Sequence, residues 1–400
     1  MNVLVINGDC IKRNSSANLC HLAYINGLVQ CGHNVSILSA DENGYTVDDN
    51  MVIPSEVKQY SFKGISLYEK MSLRKTRTNA QVAVADNSST PQKPRLVTKL
   101  KRKVLSLYGV HGIYTTFVRK AKKFKSSEHF DYVISVSTPP SGHLLAHKLL
   151  KSGNIKADKW IQIWEDPWYS DAYGFNNKEK IRKEEQRLLS FAQHVCYVSP
   201  FTLKRQQELY PESAHKMFWH PLPYYYKEES LPVDINSEKV YGYFGDYVPV
   251  ARDLSLFYQA AKELNVTVNI CGNPSNLFQT TDKINIYPRM PLKELKNIEN
   301  VTNVLVFLCN KQGGQIPGKI YQYSATNKII LFILDGTEEE KNTLKEYFGG
   351  FNRYVFCDNT VESIKMAINA IESNSFNGIE NAPLEYFAPQ NIVEKILTLR

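Results

Sequence analysis

The chain has 400 residues, 43% of them hydrophobic and 22% charged, which suits a globular protein of two or three domains and excludes a largely disordered one. Its net charge of +8 is carried locally: Asn87 to Ser127 holds eleven Lys and Arg and no Asp or Glu, leaving the remainder at −3. A mildly acidic body with one basic segment points to a local anionic partner, not to a nucleic-acid binder.

The longest strictly apolar stretches, Val304–Cys309 and Ile329–Leu334, are six residues each, well short of the ~20 that span a bilayer. The opening MNVLVING lacks the basic flank of a signal peptide and reads as a buried first strand. Seven scattered cysteines with no Cys-x-x-Cys pair suit reduced thiols in a cytoplasmic protein.

In chain order, the pattern predicts a strand over Asn2–Asn7, a helix over Ala17–Gln30 and a strand over Val35–Leu38, a βαβ unit. Asp41 to Phe130 has poor periodicity and reads as an insertion with a loop and one or two amphipathic helices. Strand–helix pairs follow at Tyr132–Val136 and His143–Leu150, at Trp160–Trp164 and Lys178–Phe191, and at Val195–Val198 and Phe201–Leu209. Pro221 to Glu238, with three prolines and three consecutive tyrosines, reads as a linker.

The alternation then restarts at Lys239–Phe244 and runs through strands at Val266–Cys271, Ile284–Tyr287, Val304–Leu308, Ile329–Ile333 and Tyr354–Phe356. Helices are expected at Asp253–Glu263, from Leu292, from Gly318, at Glu338–Tyr347 and at Glu362–Ile371, with a terminal one at Asn391–Leu399. The expected organisation is an α/β domain over 1–220 with a basic insertion at about 87–127, a linker over 221–238, a second α/β domain over 239–385 and a terminal helix over 386–400. Two such units imply two doubly wound parallel sheets facing a cleft.

No Asp-x-Asp metal motif, no Gly-x-x-x-x-Gly-Lys-Ser/Thr loop and no Gly-x-Gly-x-x-Gly loop occurs, and His143 with His147 has no acidic residue nearby, so no metal site is assigned. The most informative segment is Gln312 to Ile333. It passes Gly313-Gly314 and enters a helix with Pro317 suited to its first position, where backbone N–H groups and Lys319 would attract phosphate. Gln322, one turn on, would reach a ribose or base. The bland alternative is a helix start whose lysine is solvated.

Pro317-Gly318-Lys319-Ile320-Tyr321-Gln322-Tyr323 resembles the donor-binding motif of retaining glycosyltransferases of the two-Rossmann (GT-B) architecture, family 4 in particular. Other segments are similar to that family in the same order: Gly8 and its loop, Cys31-Gly32-His33-Asn34-Val35, Ile161 to Trp168, Leu188 to Ser199, and Tyr241 to Asp246 with Arg252. The resemblance implies retention of configuration, no required metal, no cofactor beyond a nucleotide-sugar substrate, and a saccharide acceptor, plausibly lipid-linked, in surface polysaccharide assembly. It assigns donor binding to Gly245, Arg252, Gly314, Pro317, Gly318, Lys319 and Gln322.

Two departures stand out. A basic residue often follows the glycine corresponding to Gly245, where this chain has Asp246. The family's paired glutamates would fall on Gly314 and Gln322. The alternative is therefore a non-catalytic relative that binds nucleotide sugars or acts as a scaffold.

On the acceptor side, Glu165 and Asp166 end a predicted buried strand at the cleft, where sheet ligands bind, with Pro167 and Trp168 fixing and walling them. With Arg252 and Lys319 they form the expected catalytic set. Gly8, Ser137 and His143 would line the same cleft, or Ser137 to His143 is a purely structural turn. Within residues 93–125, Leu96, Leu100, Val104, Leu107, Ile113, Phe117, Ala121 and Phe124 recur at helical spacing under lysines, which suits the anionic inner face of a membrane. A solvated helix or a disordered basic loop would read the same way. The expected location is cytoplasmic and peripheral to the membrane.

Overall fold

The computed structural model describes residues 1–70, 108–171, 177–228, 238–312, 314–376 and 378–399. In the first half, strands β1 (Asn2–Asn7), β2 (Asn34–Ala40), β3 (Lys58–Phe62), β4 (His129–Ser137), β5 (Lys156–Trp164), β6 (His194–Tyr197) and β7 (Met217–Trp219) form one parallel sheet in the order β3-β2-β1-β4-β5-β6-β7. Helices α1 (Ser16–Gln30), α2 (Thr115–Ala121), α3 (Ser141–Lys151), α4 (Lys178–Phe191) and α5 (Pro200–Leu209) connect or cover it.

The second half contains β8 (Val240–Phe244), β9 (Thr267–Cys271), β10 (Ile284–Tyr287), β11 (Val304–Leu308), β12 (Ile329–Leu334) and β13 (Val355–Asp358) in the order β10-β9-β8-β11-β12-β13. Its helices are α6 (Ser255–Leu264), α7 (Leu292–Asn300), α8 (Lys319–Ser324), α9 (Glu338–Gly349), α10 (Val361–Glu372) and α11 (Pro389–Leu397). Both sheets are thus Rossmann-like and doubly wound. Strand order reverses between β1 and β4 and again between β8 and β11, and those gaps are where loops can splay apart around a ligand.

The local reasons are visible in the sequence. Central strands such as β1 and β11 are apolar on both faces because helices cover both. Helix α1 begins where the Ser15 side chain accepts from the Asn18 N–H. It ends at Gly32, whose φ of +73° lets the chain turn back as His33 N–H bonds to Leu28. In α9, Thr337 and Glu340 form a reciprocal capping box.

Strands β3 and β7 are edge strands that the periodicity did not announce. β3 is Lys-Gln-Tyr-Ser-Phe, mostly exposed, and β7 has only three residues. Part of the poorly patterned Asp41–Phe130 region is therefore sheet.

The two halves share a core. The segment after Pro221 is docked on the second half: Tyr224 N–H bonds to Phe387 and Glu228 N–H to Ala325. Helix α11 returns to the first half and packs on α1, where a Cβ on Gly27 would lie 2.4 Å from the Pro389 carbonyl oxygen. Among the described residues, no helix is long and apolar enough to cross a membrane.

The basic segment only partly falls within the described residues; Lys93, Arg95, Lys99, Lys101, Arg102, Lys103, Leu96, Leu100, Val104 and Leu107 lie outside them. In the described part, Arg119, Lys120, Lys122, Lys123 and Lys125 are exposed. The described part of the apolar face turns inward. Phe117, Ala121 and Phe124 are buried against the first sheet, with the Phe124 ring 4.6 Å from Tyr60. Burial in the core satisfies the same hydrophobic spacing that a membrane would.

Candidate functional site

The first sheet's edge of the site is built by the loops after β1, β4 and β5. Gly8 is required by close approach: a Cβ there would sit 2.5 Å from Ser141 Oγ and 2.7 Å from the Gly142 nitrogen. The Ser141 hydroxyl donates to the Gly8 carbonyl at 3.2 Å, tying the first loop to the start of α3. Gly142 is equally confined, with a Cβ 2.7 Å from the Val136 carbonyl oxygen.

At the end of β5, Glu165 turns inward and Asp166 turns toward the second half of the molecule. Glu165 Oε1 lies 3.2 Å from Nε2 of His21, a fully buried residue of α1. Burial pushes the Glu165 carboxyl up to about 7. Asp166 accepts from the Gln315 side-chain amide at 2.5 Å and from the Thr138 hydroxyl at 3.3 Å. Its carboxyl is also raised by burial, against the lowering effect of those two bonds.

The Gln315 contact bridges the two sheets' loops, and a second bridge lies beside it: the Ser199 hydroxyl donates to the Gly314 carbonyl at 2.5 Å. Asp166, Gln315, Gly314 and Ser199 are thus brought together in one place.

Ser137, His143 and Trp168 are not at an open surface. The Ser137 side chain is buried without a hydrogen-bond partner. His143 is fully buried, bonded through Nδ1 to Ser135 Oγ at 2.7 Å and packed 4.2 Å from the Trp164 ring. Desolvation holds its pKa well below the usual histidine value, so it is a neutral core residue rather than a lining of the cleft. Trp168 packs on His111, ring centroids 4.8 Å apart, and its N–H donates to buried Glu185. It fixes the loop after Asp166 from below and does not wall the carboxylates.

On the second sheet's edge, Gly245 and Asp246 follow β8. A Cβ on Gly272 would lie 1.9 Å from the Gly245 carbonyl oxygen, so these two loops pack backbone to backbone. Asp246, standing where a basic residue was expected, accepts from Asn273 N–H and pairs with Arg289 at 3.3 Å. It locks the loop instead of meeting an anion. Arg252 donates to Asn310 at 2.9 Å and to the Asp246 carbonyl at 3.1 Å, which aims its guanidinium along the β8–β11 gap.

The Pro317-Gly318-Lys319 turn differs from expectation in three ways. Helix α8 starts at Lys319, after Gly318, so Pro317 precedes the first helical position. It is six residues long, and the N–H groups of Ile320 and Tyr321 already bond to Pro317 and Gly318. Free amides and a summed dipole are therefore scarce, and the side-chain charge of Lys319 is what remains to attract an anion. That ammonium is half-buried, 3.7 Å from Glu299.

Gln322 is not a ribose ligand in this arrangement. Its Oε1 accepts from Tyr225 N–H at 2.9 Å, and its Nε2 donates to the Tyr226 carbonyl at 2.7 Å. A glutamate could accept the first bond but could not donate the second, which gives a structural reason for glutamine here. Gly314 has φ of +64° and a Cβ would fall 2.5 Å from the Phe201 Cβ. Neither position could hold the glutamate that the resemblance placed there without local rearrangement.

His21, Asn7 and Gln315 were not among the expected site residues, whereas Thr138 lies in the Ser137–His143 turn and Ser199 ends the family-like Leu188–Ser199 segment. One signal was available for His21: it falls on the face of α1 that carries Tyr24, Ile25 and Leu28, and a buried polar group on such a face needs a partner.

No family model matches the chain, and no curated protein matches it. Solved structures match along its whole length. Sucrose-phosphate synthase from Thermosynechococcus elongatus is 10% identical, covering 100% of this chain and 94% of that one, with a TM-score of 0.55. A structure from Listeria monocytogenes described as a UDP-N-acetylglucosamine 2-epimerase is 9% identical, covering 99% and 94%, with a TM-score of 0.51. The lipopolysaccharide outer core galactosyltransferase WaaB is 11% identical, covering 98% and 94%, with a TM-score of 0.50. At such identities the likeness is one of fold: two Rossmann-like parallel-sheet units in the GT-B arrangement.

Proposed function

We propose that this chain is a glycosyltransferase that moves a sugar from a nucleotide-sugar donor to a lipid-linked saccharide acceptor in surface polysaccharide assembly. The observation that carries the reading is the meeting of the two switch-point edges. Asp166 from the first sheet meets the Gly314–Lys319 turn of the second through Gln315, with Glu165 beside it turned toward His21 and Arg252 along the β8–β11 gap. A carboxyl edge opposite a cationic edge suits a hydroxyl acceptor on one side and a diphosphate on the other. Residues 1–220 would hold the acceptor, 239–385 the donor, and 221–238 with 386–400 would join them.

In this reading Lys319 and Arg252 offset charge developing on the departing diphosphate, an effect worth roughly 3 kcal/mol per donor. Asp166 orients the acceptor hydroxyl once Gln315 is displaced. The nucleotide sugar is itself the substrate, so the reading invokes neither a metal nor another cofactor. Retention of configuration is what the family 4 resemblance implies. The exposed Arg119, Lys120, Lys122, Lys123 and Lys125 would seat the protein on the anionic cytoplasmic face of a membrane by charge alone. Binding to neutral and anionic vesicles alike would remove that part.

A thermal-shift panel of nucleotide sugars, followed by donor consumption with and without saccharide acceptors, tests the whole. A stabilising donor that is consumed only when an acceptor is present is the expected result. No shift with any donor would overturn the reading. A donor that binds and is never consumed would favour the scaffold alternative, which draws support from the occupied side chains of Gln322 and Lys319. Conversion of the donor to its epimer would place the chain in another reaction class.

A further inference from the structure

The hydrogen-bond inventory around His21 fixes a proton that no backbone trace would reveal. Asn18 Nδ2 faces two backbone carbonyls, those of Cys10 at 3.0 Å and Arg13 at 2.9 Å. A carbonyl only accepts, so the Asn18 amide cannot be turned around, and its Oδ1 must point to Asn7. Asn7 then presents its Nδ2 to that oxygen at 3.3 Å and to the Asp9 carbonyl at 3.2 Å. Its own Oδ1 is left facing His21 Nδ1 at 3.2 Å. Nδ1 must therefore carry hydrogen.

The other ring nitrogen, Nε2, lies 3.2 Å from Glu165 Oε1, and neither atom has a further hydrogen-bond partner among the described residues. With Nδ1 protonated, a neutral ring offers only a lone pair at Nε2. An ionised carboxylate would offer another, and two acceptors in a buried site repel. We propose that Glu165 and His21 hold one proton between Oε1 and Nε2, and that His21 is thereby the positioning residue for the carboxyl end of β5. Asparagine orientation propagates from backbone carbonyls through Asn18 and Asn7 to this pair, so the proton is written into the loop after β1. The inference stands on this geometry and does not need the transferase reading.

Losing the proton leaves a buried carboxylate against a lone pair, next to Asp166, with Cys20 and Tyr24 of α1 and the neutral His143 as the other titratable neighbours. The contact then breaks. Because Glu165 is raised above its usual 4.5 to about 7, the stabilisation is complete below about pH 4.5 and is lost as pH rises through about 7. Glu185 is also raised to about 7 by burial, but it is common to wild type and a Glu165 variant and cancels in their difference.

Two measurements on the full chain decide it. In Glu165→Gln the amide donates to Nε2 without a titratable proton. The wild-type melting temperature should fall by roughly 3 °C more than the variant's between about pH 5 and about pH 8.5. Equal falls would overturn the proposal. Should the variant not fold, ¹⁵N spectra of histidine-labelled wild type still answer, with His21 assigned by its loss in His21→Asn or by triple resonance. Hydrogen on Nδ1 across the whole pH range is expected. A bare Nδ1 at neutral pH would overturn the proposal as firmly.

Discussion

The two edges of the cleft handle charge in opposite ways. On the first sheet's edge, carboxyls are buried with neutral or shared partners, and Glu165 and Glu185 are both raised to about 7. On the second sheet's edge, every named cation already has an oxygen partner: Lys319 has Glu299, Arg289 has Asp246, and Arg252 has Asn310 and a backbone carbonyl. One edge holds buried carboxyls that desolvation raises. The other holds its cations against carboxylate, amide and carbonyl oxygens, which an arriving polyanion must outcompete. Removing a side chain should therefore cost folding stability on the first edge and ligand affinity on the second.

The largest effect is expected at Glu185, which supports the first edge from beneath. Its carboxyl accepts from Trp168 N–H, Tyr169 N–H at 2.7 Å and the Tyr210 hydroxyl at 3.0 Å. Glu185→Ala strands all three buried donors and should lower stability by roughly 3 to 5 kcal/mol in urea unfolding. A loss below about 1 kcal/mol would mean that water reaches the loop, and the contrast between the edges would fail.

On the second edge, Lys319→Ala should leave stability nearly unchanged and weaken nucleoside diphosphate binding by about 1.5 to 3 kcal/mol in calorimetry. Arg252→Ala should act in the same direction. Glu299→Gln sharpens the test because it removes the competitor for Lys319. It should tighten diphosphate binding several-fold, and weaker binding would show that Glu299 positions the lysine rather than restraining it.

Gln322 sits where these two behaviours meet. Glu at this position would be the family-like residue, yet here it would set a carboxylate oxygen against the Tyr226 carbonyl. Gln322→Glu should cost about 1 to 2 kcal/mol of stability at neutral pH, by the penalty for an unmatched buried acceptor. The cost should shrink as pH falls and the new carboxyl protonates to become a donor. A variant as stable as wild type would return the residue to the donor site.

The alternating periods made the two sheets legible, because helices on both faces force apolar strands and stripes of apolar helix residues. The switch-point loops were legible for the same reason: Gly8, Glu165, Asp166, Gly245 and the turn before Lys319 all follow strands. What could not be read was which polar groups were already spoken for. His143 and Gln322 carry the right chemistry for a site, and only three-dimensional packing shows their atoms bonded to Ser135 and the tyrosine backbone. The described end of the basic segment poses the same question. A core and a membrane ask for one hydrophobic spacing, and Phe117 and Phe124 answered to the core. His21 was missed because its partner, Glu165, is 144 residues away along the chain.

The smallest effect concerns the bridges that hold the edges together. The Ser199 hydroxyl donates to the Gly314 carbonyl, and Gln315 to Asp166, so the same turn is tied to both α5 and β5. A neutral hydrogen bond contributes about 1 kcal/mol, and one bond to a carboxylate about twice that. Ser199→Ala should therefore cost only about 0.5 to 1.5 kcal/mol of stability. If the bridge must open for ligands to enter, the same change should raise the association rate of a nucleoside diphosphate, since less is lost on opening. Gln315→Ala should do this more strongly, because the stronger tie is cut. Stopped-flow association that is equal in wild type and both variants would mean that the turn does not gate entry, and that the two edges already stand apart far enough for a donor to pass.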